Sequence, residues 1–223
     1  MVETKRRDIL TVIITCAFAI AVVYGIGWFH ENVLPRVSGV VQSILLVAIW
    51  WPMLIATIFF MHRDKENAKD IGFTKTKILW QILAGVAVAI GSLSIFIVLP
   101  ALFGFQTGYV GSMNPLSIVM SLVYMLLAVA LVEEVIFRGH LFKKLFDISG
   151  SKWFAIVVSS VLFGLFHIFN WSILQIVFTT LIGAYFCICR DKIKHCTLLA
   201  LIIGHSLHNA FLPVITALFF GGE

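Results

Sequence analysis

Acidic residues are scarce in this chain. It has eleven Asp and Glu in 223 residues, against sixteen Lys and Arg, and all charged residues together make up 12%. Cysteine is equally thin. The four thiols, Cys16, Cys187, Cys189 and Cys196, include no Cys-x-x-Cys pair, which argues against a dithiol redox centre and leaves reduced structural thiols. No glycine-rich phosphate loop, Gly-x-Ser-x-Gly elbow, internal repeat or low-complexity tract occurs. What is abundant is hydrocarbon: 61% of residues are hydrophobic, and the mean hydropathy is +1.04. A soluble domain is roughly 45–50% apolar, so the composition describes a polytopic membrane protein.

Apolar runs of spanning length fall at 9–28, 40–61, 78–103, 115–136, 153–169, 172–189 and 197–220. Those at 153–169 and 172–189 are short, separated only by the polar patch Asn170-Trp171-Ser172. The expectation is an all-α transmembrane bundle of about seven helices in a single domain, 1–223. The first run follows a basic start, as a signal peptide would. Its length of about 20 residues and the lack of Ala-x-Ala at its end favour a retained helix.

The bases segregate. Lys5, Arg6 and Arg7 precede the first run. Arg63, Lys65, Lys69, Lys75 and Lys77 follow the second, Lys143, Lys144 and Lys152 the fourth, and Arg190, Lys192 and Lys194 the sixth. Fourteen of sixteen thus share one side, with Arg36 opposite and Arg138 near or in the membrane. The positive-inside rule puts the N-terminus in the cytoplasm and the C-terminus outside, in a multi-pass cell-membrane protein. The net charge of +5 is then explained by topology and anionic headgroups, with no case for nucleic acid. Trp28, Trp80 and Trp153 suit the interfacial belt, and the Trp50-Trp51 pair mid-span reads as packing.

Against this background Glu133 and Glu134 stand out, two carboxylates inside an apolar run. Placing one there costs a few kcal/mol or more, so it needs a task or a partner. Arg138 serves Glu134, because i,i+4 shares a face; Glu133, rotated by about 100°, must look beyond its own helix. Histidines recur in the same depth range. At a rise of about 1.5 Å per residue, Glu133 lies about 15 Å from Lys143 and His205 about 16 Å from Lys194. His167 lies about 22 Å from Lys152 on a straight helix, less on a tilted one. Singly, each feature has a plain structural reading: a salt bridge for Glu134–Arg138, ring packing for Phe163 and His167, interhelical hydrogen bonding for His205 and Asn209. Their coincidence in one membrane layer favours chemistry. His208 reads as packing, and His140 and His195 as solvated interfacial residues.

The ordered set Glu133-Glu134-x-x-x-Arg138, Phe163-x-x-x-His167 and His205-x-x-x-Asn209 resembles the three motifs of the CPBP family of CAAX-processing and bacteriocin-processing intramembrane proteases. The resemblance covers roughly residues 115–215, leaving 1–114 as helices without motifs. It implies a polar cavity open to the cytosol and hydrolysis of a peptide bond by water. Glu133 would be the general base, His167 would hold or share its proton, and His205 and Asn209 would stabilise the oxyanion. Glu134, Arg138 and Phe163 would be scaffold. A zinc site of Glu133, His167 and His205 is the competing mechanism, disfavoured because both histidines lie on different helices and Asn209 is a poor zinc ligand. No cofactor is expected. The partners implied are a peptide or protein substrate entering from the cytosolic side, and membrane lipid. The substrate reads as a peptide precursor losing its leader (bacteriocin, toxin or signalling peptide) or a CAAX-like tail. The competing function is a non-catalytic immunity or scaffold protein that binds a peptide toxin. A proton-coupled transporter is weaker, since no pair of broken half-helices is visible.

Overall fold

A computed structural model describes residues 2–170 and 172–221; Trp171, part of the polar patch at 170–172, lies outside the described residues. The described residues are helical with no strand. We number seven helical segments: α1 (Val2–Asn32), α2 (Gly39–Arg63), α3 (Ile78–Leu102), α4 (Pro115–Ser149), α5 (Lys152–Phe166), α6 (Ile173–Lys192) and α7 (Leu198–Phe220). All but α5 are long and apolar enough to cross a membrane. The two short runs resolve into α5 and α6, joined across a 3₁₀ turn, Ile168–Asn170.

Local chemistry explains the boundaries. Pro52 breaks α2, which passes through a 3₁₀ turn at Trp51–Met53. Asn114 caps α4, its side-chain oxygen accepting from Leu116 N–H at 2.9 Å, with Pro115 at the first helical position. Gly150, at φ +70°, ends α4 in the left-handed conformation glycine favours. Ser151 then caps α5 by accepting from Phe154 N–H at 3.3 Å. The apolar run at 115–136 predicts a shorter α4 than is found. The helix continues to Ser149 because its last turns are held by ion pairs on one side and by α5 on the other.

The chain divides into two compact units: Met1–Gly72 with Val132–Gly183, and Phe73–Leu131 with Ala184–Glu223. The first has a core of Met53, Val132, Ile136, Phe137, Leu141, Phe163 and Phe166, against which Ala19 and Ile26 of α1 pack. At its edge Lys144, almost fully buried, donates to Asp64 at 2.6 Å and Glu66 at 2.8 Å and lies 3.6 Å from Asp8. Arg63 pairs with Asp64 and donates to Thr11 Oγ1, and Arg7 lies 3.6 Å from Asp64. Lys143 reaches Glu66 and Asp147. His140, expected at the solvated interface, is instead fully buried. Its ring stacks parallel to Phe60, with Nδ1 3.9 Å from Glu66. The tertiary pairing of Asp8, Asp64 and Glu66 with the end of α4 draws it under cover.

The second unit is built on α3 against α7. Gly85 and Gly204 allow the close approach: a Cβ on Gly85 would sit 2.6 Å from the Ala200 carbonyl oxygen. One on Gly204 would sit 3.1 Å from the Gly85 carbonyl oxygen. Small residues at such crossings are how membrane helices pack tightly without a hydrophobic drive. Tyr185 donates to the Val88 carbonyl at 3.1 Å, and Thr197 donates to Gln81 Oε1.

Candidate active site

In the first unit the two motifs on α4 and α5 are physically joined. Glu133 and Glu134 occupy a single α-helical turn, Leu131–Glu134, between two π-helical stretches, Met125–Ala130 and Val135–Leu141. π-turns carry an extra residue and concentrate at functional sites, because they re-aim side chains that a regular helix would fix elsewhere. Both carboxylates are buried, Glu133 3% exposed. Arg138 donates to Glu134 Oε1 at 3.0 Å, as the i,i+4 spacing predicts. Its guanidinium lies over the Phe163 ring, 3.9 Å from the centroid. Phe163 thereby meets α4 with its ring and His167 with both ring and backbone: the two rings stand edge to face at 4.8 Å.

The backbone contact decides His167's chemistry. Its Nδ1 is 2.9 Å from the Phe163 carbonyl oxygen, which can only accept, so Nδ1 carries the proton and donates. The ring's lone pair is then at Nε2, the nitrogen left to accept a proton or a ligand. The spacing Phe-x-x-x-His encodes this directly, because the i carbonyl and the i+4 side chain face one another at the end of α5. There His167 is the first non-helical residue and half-buried.

The second unit holds His205 and Asn209 on one face of α7. His205 is buried with its ring against Phe186 at 5.5 Å. Asn209, half-buried, aims its amide at Met125 Sδ, 3.8 Å away, a weak acceptor. His208 is buried, with Nδ1 3.0 Å from Ser92 Oγ, whose hydroxyl proton goes to the Ala89 carbonyl. It is a packing residue, as the sequence suggests. His195 is half-buried in a left-handed conformation, its ring 6.3 Å from Trp80.

Two glycines matter here that sequence reasoning missed. A Cβ on Gly183 of α6 would lie 3.2 Å from Arg138 Nη2 and 3.3 Å from Phe163 Cδ1; one on Gly164 would land on Thr180 Oγ1. Both let α6 approach the Arg138–Phe163 stack. A glycine in an apolar helix is the only sequence signal, and it does not name the neighbour. A separate cleft of about 350 Å³, lined by Thr4, Arg7, Asp8, Asp64, Glu66 and Lys144 among others, contains none of the motif residues.

Six helices long and apolar enough to cross a membrane among the described residues, with no strand and with buried ionisable residues on the motif-bearing helices, define a polytopic membrane protein. Residues 115–211 match the family model described as Rce1-like, type II CAAX prenyl endopeptidase Rce1-like. The matched stretch carries all three motifs and is similar to the CAAX-type peptidases of the CPBP family. No curated protein and no solved structure matches it.

Proposed function

We propose that the protein is a glutamate-dependent intramembrane endopeptidase. Glu133 takes a proton from water as the water oxygen attacks the scissile carbonyl carbon. His167 Nε2 holds or shares that proton and returns it to the departing amine when the C–N bond breaks. His205 and the Asn209 amide donate to the oxyanion. The observation that carries this reading is the His167 tautomer. A ring whose Nδ1–H is committed to its own helix offers Nε2 as a base-side acceptor, which a packing histidine has no use for. A general base and acid contribute on the order of 10²–10⁴-fold, and a single oxyanion donor about 10²–10³-fold.

The substrate is a peptide or protein that approaches from the cytosolic side through lipid, with a CAAX-like tail or a peptide precursor losing its leader. The chain sits in the cell membrane with its N-terminus cytoplasmic and C-terminus outside, supported by the segregation of Lys and Arg. The less favoured reading is a metal at His167 Nε2 with Glu133 and His205 as its companions, which would supply Lewis-acid chemistry at the water; among the described residues no three such side chains are grouped to hold one. Two arms test the mechanism. A quenched farnesylated Cys-a-a-X peptide, incubated with purified protein in liposomes, is expected to be cut by wild type and at least a hundredfold more slowly by Glu133→Gln. A strong chelator is expected to leave the rate unchanged; loss restored by zinc would transfer the site to a metal. Cells carrying wild type or Glu133→Ala at equal level, compared by peptidomics, should differ in at least one peptide terminus. Identical peptidomes with a phenotype rescued by Glu133→Ala would favour a toxin-binding immunity protein.

A further inference from the structure

Among the described residues the Asn209 side chain makes one hydrogen bond, and its partner is a thioether: Nδ2 donates to Met125 Sδ at 3.8 Å. Both residues are half-buried and belong to the second unit, where α7 packs along the π-helical stretch of α4, Met125–Ala130. Met125 is the first residue of that stretch, and Ala128, Val129 and Ala130 are buried within it. A π-helical turn moves side chains off the positions a regular helix would give them, and such turns concentrate at functional sites.

The pairing is unusual for an amide in an apolar interior, which normally finds an oxygen. Gln81, the buried amide of the same unit, does so at both ends. Its Nε2 donates to the carbonyls of Thr74 and Thr76 at 3.2 and 2.6 Å, and its Oε1 accepts from Thr197. Asn209 faces sulfur, a weak acceptor. A weak partner suits an oxyanion donor. Only an interaction that is stronger in the transition state than in the ground state accelerates a reaction. An amide bonded to oxygen would have to surrender that bond as the oxyanion forms, whereas a thioether gives it up at little cost. With no acceptor at all, the amide would turn about a terminal torsion that is broad in asparagine, and the donor would not be preorganised.

We propose that Met125 is a positioning residue for the oxyanion donor. Its sulfur holds the Asn209 amide in the resting protein, and the amide N–H leaves sulfur for the oxyanion in the transition state. No covalent bond forms or breaks at Met125; one donor exchanges a weak acceptor for a charged one. The inference rests on the peptidase reading, which gives Asn209 its role, and adds to it a residue outside the three motifs.

The test uses the full-length protein in liposomes with the quenched farnesylated peptide. Met125→Leu keeps the volume and removes the acceptor. Its unfolding temperature should stay near that of wild type, while kcat falls about three- to tenfold at unchanged KM. Met125→Gln supplies a strong oxygen acceptor, and its kcat should fall below that of Met125→Leu. In Asn209→Ala, itself expected to be about 10²–10³-fold slower, adding Met125→Leu should cost nothing further, because the two residues act as one unit. Beside an active wild type, three results each overturn the positioning role and leave the peptidase reading standing. They are a wild-type kcat in Met125→Leu, a Met125→Gln no slower than Met125→Leu, and the same fractional loss with and without Asn209. A wild type that cuts no such peptide overturns the peptidase reading and the role of Met125 with it.

Discussion

Phe163 does three jobs with one side chain and one carbonyl. Its ring receives the Arg138 guanidinium, its edge contacts position the His167 imidazole, and its carbonyl sets that imidazole's tautomer. The first two can be removed without the third. Phe163→Leu keeps the carbonyl, so we expect the His167 tautomer to survive while Arg138 loses its cation–π contact, worth about 0.5–2 kcal/mol. Unfolding temperature should fall, and the remaining activity should keep the wild-type pH profile. A shifted profile would mean that the ring, rather than the carbonyl, governs His167. Arg138→Lys is not conservative here. Lysine keeps the charge for Glu134 but has no planar face to lie on Phe163, so a loss of thermal stability comparable to Phe163→Leu is expected. Removing the charge with Arg138→Met is harsher, because Glu134 is then a buried carboxylate stripped of its cation, a change that costs about 3–5 kcal/mol.

Between elements, the decisive contacts are glycines and ions. Gly164→Val forces α5 and α6 apart at Thr180, where even one carbon has no room. Its signature would be a lowered unfolding temperature and lost activity, with Thr180→Ala restoring part of both. A second prediction concerns acid. The Arg63 side chain, hydrogen-bonded to Asp64, holds that carboxyl well below the usual carboxylate range, against the opposing effect of burial and with further help from Lys144. A carboxyl lowered in the folded state contributes stability that is fully present above its unfolded value, near 3.9, and is lost as pH falls toward the folded one. Chemical denaturation should therefore show stability declining below about pH 4, and Asp64→Asn should flatten that decline while lowering stability at neutral pH. An unflattened curve would assign the acid sensitivity to other carboxylates.

Over the whole molecule, spans and motif positions were legible because both are local: a run of apolar residues marks a helix, and i,i+4 spacing pairs Glu134 with Arg138 and Phe163 with His167. What escaped reading depends on residues far apart in sequence. Lys143 and Lys144 look like ordinary interfacial bases until Asp8, Asp64 and Glu66 arrive from α1 and from the end of α2. His140 looks solvated until Phe60 stacks on it. Gly183 is silent until Arg138 and Phe163 are seen against it. Pro213 would end a helix by its local chemistry, yet α7 continues through it.

The ion cluster also counts crossings. Arg7 and Asp8 at the start of α1, Arg63 and Asp64 at the end of α2, and Lys144 near the end of α4 meet within 3.6 Å of one another's partners. Charges of this density cannot be left in hydrocarbon, so all three chain positions emerge on one face of the bilayer. The stretch from Arg7 to Arg63 must then traverse the membrane an even number of times, and so must the stretch from Asp64 to Lys144. With α1 to α4 each long and apolar enough to cross once, parity makes α1 and α2 an out-and-back pair and requires α4 to return the chain that α3 carries away.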